Sequence, residues 1–399
     1  MIVRSSERLR VLIVPHLSEK SGAPFFAALL AGGLDPKRFH TRLLFPGPGV
    51  LVDYARAKGL EFAESALMPS TFGQAAARGE RAAWLVSRLR YIRDCNAQLR
   101  EFRPDVVYVH SIVQTIPGWM ARMRRIPVVW HVQEFLDAPL PQMLRRARHI
   151  RKMSSAIVFC AHASKKMWGE PPAGRLWRVA PNALFDESAA APRPRAEVRR
   201  ELGIPESATL LVCVGGVQYR KGMDVLLDAF ARVRRQPEGA DAWLILAGSR
   251  DAGSGTVEFN RRLDAFVREN NLADRVQFLG HRDNVADYLG ASDLYVLASR
   301  NEALPLAALE AFAVGIPAVL TDTGDCARLA EGERCALCVP CNDAAALAGA
   351  LSALLRDPER RRRMGREARE LVAREYRFDS MTRNVGAILE MAAGRRPAE

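Results

Sequence analysis

The sequence predicts an α/β fold of two parallel sheets, and three observations carry that reading. Short apolar runs of strand length alternate with longer amphipathic stretches throughout the chain, the pattern left when crossover helices return it between parallel strands. The alternation fails once, between Pro181 and Glu201, where Ser188-Ala-Ala-Ala-Ala-Pro192-Arg-Pro194 reads as a linker. At 399 residues the chain is longer than a single core usually serves. Two Rossmann-like parallel-sheet domains follow, residues 1–188 and 189–376, facing a central cleft. A closing helix over 377–399 is able to cross back to the first domain.

In the first half the strand candidates are Arg10–Pro15, Thr41–Phe45, Asp105–His110, Pro127–His131, Ala156–Phe159 and Trp177–Ala180. In the second they are Leu210–Gly215, Ala242–Ala247, Val276–Leu279, Leu294–Leu297, Ala318–Leu320 and Ala336–Val339. Helical patterns separate most of them, Val225–Arg234 among these, and Arg356–Ala373 and Phe378–Met391 read as closing helices. Ligands of such sheets bind outside the carboxyl ends of the strands.

Apolar residues make up 49% of the chain and charged residues 26%, ordinary globular values. No stretch approaches the ~18 uncharged apolar residues of a membrane span. Met1-Ile-Val-Arg runs straight into a strand without the apolar region of a signal peptide. Seven cysteines, an odd number, fit reduced thiols better than a disulfide framework. These features point to a cytoplasmic protein.

The net charge of +13 lies entirely in the first half. Residues 1–190 hold 28 Lys and Arg against 15 Asp and Glu; residues 191–399 hold 30 of each. Much of the excess sits in Arg81–Arg103 and in Arg145-Arg146-Ala-Arg148-His-Ile-Arg151-Lys152. Such a surface suits an anionic membrane or an anionic acceptor, which would make the protein peripheral on the inner face of the plasma membrane. The plainer alternative is a solvated face in an arginine-rich sequence. No aromatic-interleaved basic motif or zinc finger points to nucleic acid.

The most informative stretch is Ser299-Arg-Asn-Glu302-Ala-Leu-Pro305-Leu-Ala-Ala-Leu-Glu310-Ala-Phe-Ala-Val-Gly315-Ile-Pro317. An apolar strand ends there, Pro305 fits the first helical position, and Gly315 with Pro317 stops the helix. A helix N-terminus offers N–H groups and partial positive charge to an anion. Glu302 and Glu310 flank that point, and carboxylates accept hydrogen bonds from hydroxyls. A ligand with both phosphates and hydroxyl-rich rings, such as a nucleotide sugar, satisfies both features. Upstream, Leu211-Val-Cys-Val-Gly215-Gly216-Val-Gln-Tyr-Arg220-Lys221-Gly222-Met-Asp224 is a strand, a glycine turn, two cations and a helix start, with Asp224 a candidate cap. The spacing is not that of a Walker loop.

These residues resemble a GT-B glycosyltransferase of family 4 type. The resemblance rests on Gly215…Lys221-Gly222, on Glu302…Glu310, on Val276-Gln-Phe-Leu-Gly280-His, on Ala291-Ser-Asp293-Leu-Tyr-Val-Leu-Ala-Ser299 and on the tail from Asp343 to Arg377. It covers residues 205–395. In the first half it is carried by Pro104-Asp105-Val-Val-Tyr-Val-His110, Ile126-Pro127-Val-Val-Trp-His131 and the strand layout. It implies retaining, metal-independent transfer of a sugar from a nucleotide sugar (a UDP- or GDP-sugar) to a sugar or lipid-linked hydroxyl acceptor, in bacterial surface polysaccharide, lipopolysaccharide or glycolipid synthesis. No cofactor is implied.

By the same resemblance, Glu302 contacts sugar hydroxyls and Glu310 accepts the ribose diol. Gly215, Gly216, Arg220 and Lys221 meet the diphosphate together with the backbone of Leu304, Pro305 and Leu306. Lys221 neutralises the charge that grows as the glycosidic bond breaks. His131, at a strand carboxyl end, lines the acceptor side. His110 and Glu134 are placed nearby without an assigned role.

Three departures stand out. Lys20-Ser-Gly22-Ala23-Pro24 keeps one glycine where the family has a pair, at the acceptor and phosphate loop. Gly216 stands where many members have Arg. Ala303-Leu304-Pro305 replaces a common Gly-Phe-Gly. Two alternatives stand beside this reading: a nucleotide-sugar epimerase of the same fold and, kept open by the departures at Gly22-Ala23 and Gly216, a non-catalytic sugar-nucleotide-binding assembly protein. Cys326, Cys335, Cys338 and Cys341 are a candidate zinc or iron–sulfur set, although the wide first spacing is not a zinc ribbon and the resemblance puts a plain loop–strand–loop there. No metal is expected. Arg360–Arg363 reads as a solvated face.

Overall fold

Runs of β-branched residues buried on both faces form the centre of each sheet, as parallel strands covered by helices require. In the computed structural model Val106–His110 and Val128–Val132 are buried at every position. The structure describes residues 8–19, 22–66, 79–134, 141–184, 192–250 and 254–397. It has two units: Met1–Asn182 with Asp379–Glu399, and Ala183–Phe378. The chain thus leaves the first unit at 182 rather than 188. Residues 188–191 of the expected linker lie outside the described residues.

The first unit runs β1 (Leu9–Val14), α1 (Gly22–Gly33), β2 (Phe39–Phe45), α2 (Val50–Ala57), β3 (Phe62–Glu64), α3 (Arg81–Glu101), β4 (Val106–His110), α4 (Ile116–Met123), β5 (Val128–Val132), α5 (Pro141–Met153), β6 (Ala156–Phe159), α6 (His162–Trp168) and β7 (Leu176–Val179). Its sheet order is β3-β2-β1-β4-β5-β6-β7, with every pairing parallel. The order reverses between β1 and β4, the switch point where such sheets open a crevice. Helices α3 and α4 pack on one side of the sheet through Tyr91, Cys95, Leu99, Met120 and Ala121, and Ile150 of α5 joins the same core.

The second unit runs α7 (Arg195–Glu201), β8 (Leu210–Val214), a 3₁₀ turn (Tyr219–Lys221), α8 (Met223–Arg234), β9 (Trp243–Ala247), α9 (Ser254–Glu269), β10 (Val276–Gly280), α10 (Val285–Ala291), β11 (Leu294–Leu297), α11 (Leu306–Ala313), β12 (Ala318–Thr321), α12 (Cys326–Ala330), β13 (Ala336–Val339), α13 (Ala344–Arg356) and α14 (Pro358–Glu375). The order β10-β9-β8-β11-β12-β13 places its switch point between β8 and β11. The expected helix from Arg356 begins instead at Pro358. The Asp357 carboxylate caps it by accepting from Arg360 N at 2.8 Å, and proline takes the first helical position. The last helix, α15 (Phe378–Ala392), belongs almost wholly to the first unit. There Glu390, nearly buried, receives a forked pair from Arg38 at 3.2 and 2.6 Å.

Candidate active site

Lys221 and Glu302 come together at the switch point of the second sheet. Lys221 ends the turn after β8, and Glu302 lies in the loop after β11. Two glycines let these loops close. Gly222 has φ 66°, and a Cβ there would fall 1.9 Å from the Ala298 carbonyl oxygen at the end of β11. Gly324, φ 59°, would bring a Cβ within 2.1 Å of the Glu302 carbonyl oxygen. Any side chain at either position would push a loop away.

Three donors converge on one oxygen of Glu302. Lys221 Nζ lies 2.5 Å from Oε1, Ser299 Oγ donates to it at 2.9 Å and Arg220 Nη1 at 3.2 Å. Glu302 N donates to Thr323 Oγ1 at 3.1 Å, and Thr321 Oγ1 donates to the Ser299 carbonyl at 2.6 Å. The carboxylate is therefore held by Ser299 of its own loop and by the turn after β8, while the loop after β12 fixes the backbone beneath it. The cation and the carboxylate that the sequence assigned to separate parts of a ligand neutralise each other here.

Arg300 is the residue that sequence reading missed. Its guanidinium holds both oxygens of Asp224 at 2.8 and 2.7 Å, donates to the Tyr219 carbonyl, and lies 3.9 Å from the centroid of the Tyr219 ring. It also donates to Asn342 Oδ1 at 2.6 Å, and its backbone N–H donates to the Arg220 carbonyl at 2.8 Å. Asp224 is thus no helix cap. Gly222 caps α8 without a side-chain bond, and Asp224 holds Arg300. Burial opposes ionisation of Asp224, but the Arg300 hydrogen bonds outweigh it and hold the carboxyl below its usual range. A single arginine after an apolar strand gives no sequence signal for a fork of this kind.

Helix α11 starts at Leu306, one residue later than expected, so Pro305 is its N-cap rather than its first helical residue. Pro305 is extended (φ −75°, ψ 105°), so its carbonyl accepts the first helical bonds, from Ala308 and Leu309. No side chain caps this end. Leu304 is buried against the core, and Glu310 lies on the second turn. Burial pushes the Glu310 carboxyl up to about 7, without a hydrogen bond to offset it. Gly215 (φ 144°) follows β8, and a Cβ at Gly216 would make ordinary contacts with Gln218 and Ser249, 3.6 and 3.7 Å away.

In the first unit, β4 and β5 end side by side, with His110 paired to His131. Both side chains are fully buried. Tyr108 Oη lies 2.5 Å from His131 Nδ1, and the Gln133 amide nitrogen lies 3.0 Å from His131 Nε2 and 3.1 Å from His110 Nε2. Gln133 and Asn182 exchange amide bonds at 2.8 and 3.2 Å. Burial lowers His131 to about 3, and burial with the neighbouring His131 and His16 takes His110 well below its usual range. Both rings are neutral at physiological pH. Glu134 braces the turn after β4: it accepts from the Ser111 hydroxyl, from Ile112 N at 3.2 Å and from Gln133 N at 3.0 Å. Burial still raises its carboxyl. Helix α1 begins at Gly22. Lys20 and Ser21 of the expected acceptor loop lie outside the described residues, as does the side chain of Ala23.

Cys326, Cys335, Cys338 and Cys341 are free thiols. Burial pushes Cys335 up to about 12 and Cys338 to about 11. Cys341 donates weakly to the Ser299 and Asp322 carbonyls. Among the described residues no group of three His, Cys, Asp or Glu is placed to hold a metal ion. The basic run of α14 is paired: Arg360 with Glu333, Arg362 with Glu359, and Arg361 on the Leu354 and Leu355 carbonyls.

Two parallel-sheet units, with charged groups gathered at the second switch point, define the GT-B fold of nucleotide-sugar enzymes. Anabaena HepE, solved with UDP and glucose, has that fold, with a TM-score of 0.80 at 18% identity over 96% of this chain and 99% of its own. The model of the glycosyl transferases group 1 family matches residues 194–371. The D-inositol 3-phosphate glycosyltransferase of Saccharomonospora viridis is 34% identical over 311 residues, 72% of this chain and 69% of that protein. The lipopolysaccharide core biosynthesis mannosyltransferase LpsB of Rhizobium meliloti is 29% identical over 283 residues, 66% of this chain and 79% of that one. For two further curated relatives the match spans 49% of their length. This chain belongs to the glycosyl transferases group 1 family.

Proposed function

We propose that this chain transfers a sugar from a UDP-sugar to a hydroxyl of a lipid-linked or sugar acceptor, with retention, in the synthesis of a bacterial surface glycan. The observation that carries the reading is the Lys221–Glu302 pair, 2.5 Å apart beside the uncapped start of α11. A diphosphate entering there meets Lys221, Arg220 and the N–H groups of Leu306 and Ala307. Lys221 then turns from Glu302 to the phosphate, which frees Glu302 to accept sugar hydroxyls. Glu310 accepts the ribose diol. HepE, solved with UDP and glucose, supports the uridine donor, and LpsB supports the surface glycan.

The anomeric C–O bond to the diphosphate breaks through an oxocarbenium-like state. The acceptor oxygen bonds the same carbon from the same face, and its proton passes to the departing diphosphate oxygen. Negative charge grows on that diphosphate, where Lys221 and the helix start are already oriented, and such preorganisation is usually the largest catalytic term. His131, neutral and bonded on both nitrogens, acts as a fixed wall on the acceptor side and not as a base. The enzyme works in the cytoplasm at the inner face of the plasma membrane. No described helix is long and apolar enough to cross a membrane.

The test is incubation with a panel of radiolabelled UDP- and GDP-sugars and membrane extracts. Transfer of label to an organic-soluble acceptor from a UDP-sugar is expected. Epimerised donor in the absence of acceptor, or donor binding with no transfer to any extract, overturns the reading.

A further inference from the structure

The outer face of α3, α4 and α5 combines two features rarely left together on a surface. Large apolar side chains stand exposed on all three helices. Leu85, Leu89 and Ile92 follow one stripe of α3, about a quarter-turn around the helix from its buried Tyr91, Cys95 and Leu99. Trp119 (52% exposed) and Met123 (65%) follow on α4, and Leu144 on α5. Between α4 and α5 lies a cavity of about 390 Å³ floored by Ile116, Trp119 and Met153 and rimmed by Arg145, Arg146 and His149.

The rim is cationic, and among the described residues no carboxylate pairs with it. Helix α5 carries five Lys and Arg and no carboxylate. Among the described residues Arg88, Arg145 and Arg146 make no ion pair, and Nε of Arg88 is buried with no hydrogen-bond partner. Burial lowers Arg88, and the neighbouring charge of Arg146 lowers it further, although Tyr91 acts the other way. Like charges are thus held close, in contrast to the paired arginines of α14. An apolar slot under unbalanced guanidiniums matches an amphiphile with a phosphate head and a hydrocarbon tail. Exposed Trp, Leu and Met around it match the interfacial layer of a bilayer.

We propose that this face docks on anionic phospholipid, with one lipid phosphate between Arg145 and Arg146 and its chain entering the α4–α5 slot. The proposal deepens the reading above, since it names the surface that brings the enzyme to a lipid-linked acceptor. An arginine near an anionic leaflet contributes about fivefold to partitioning. Exposed aromatic and thioether groups add apolar burial.

The test is flotation of the full chain with phosphatidylcholine vesicles lacking or containing about 30 mol % phosphatidylglycerol. Binding to the anionic vesicles alone is expected, falling steeply as salt rises from about 0.05 to 0.3 M. Arg145→Gln/Arg146→Gln should weaken it roughly 25-fold. Trp119→Ala/Met123→Ala should weaken it about tenfold. Both should keep the wild-type thermal shift with UDP. Equal binding to neutral vesicles, no binding, or unchanged binding by the arginine variant overturns the proposal. Loss of the UDP shift in the wild type would instead count against the function itself.

Discussion

The two switch points are built from opposite chemistry. At the second sheet Lys221, Arg220, Glu302, Arg300 and Asp224 form a fully charged, interlocked set. At the first, His110, His131, Tyr108, Gln133 and Asn182 form a buried set in which every side chain is neutral. In the proposed function the same strand geometry serves one site that handles developing charge and one that does not. A diphosphate needs cations that exist before it arrives, held by carboxylates it can displace. A hydroxyl acceptor needs shape and fixed hydrogen-bonding partners, and a charge beside it would only bind ions.

That contrast breaks most readily at Lys221. Lys221→Ala should lower kcat/KM about a thousandfold while the melting temperature stays within about 2 °C. Near-normal turnover would remove the charged site from the mechanism. Arg300→Lys keeps the charge but loses the fork, so it should lower kcat/KM roughly 10- to 100-fold. An effect on stability alone would show that Arg300 only holds the fold.

Titration sharpens the comparison next. In its proposed role Glu310 accepts the ribose diol as an ionised carboxylate, and its carboxyl stands at about 7 against an ordinary 4.5. UDP affinity measured by calorimetry should therefore rise with pH, up to about tenfold per unit below 7, and Glu310→Gln should flatten the profile. Stability runs the other way. The folded state keeps this proton to higher pH than the unfolded chain does, so the unliganded melting temperature should fall as pH rises from 4.5 to 7. The smallest effect belongs to the neutral site. Gln133→Leu strands two imidazole nitrogens and the Asn182 amide, which should cost about 1–3 kcal/mol of stability in denaturant melts with UDP affinity unchanged.

Much of the fold was legible because parallel strands are continuous apolar runs. Ala156–Phe159, Leu294–Leu297 and Ala336–Val339 lie where the pattern puts them. The strand that escaped, Phe62–Glu64, is a three-residue edge piece with no buried position, so it lacks the run that marks its neighbours. Within the site, Lys221, Glu302 and Glu310 were visible because turn and cap residues punctuate them. Arg300 was not, because its role comes from a fork across 76 residues of sequence that no local pattern records. The burial of His131 was likewise unreadable: a strand-end histidine looks the same whether its ring meets solvent or Tyr108 and Gln133.

The ion pair between Arg38 and Glu390 has a consequence for how the protein is made. The sheet of the first unit leaves the ribosome before the second unit, but α15 follows the whole of the second unit. Until it arrives, Arg38 lacks its carboxylate, and the apolar surface that receives Val385 and Leu389 stays open to water. The second unit, contiguous in sequence, can finish while the first waits. Of these two units, the one translated first is completed second.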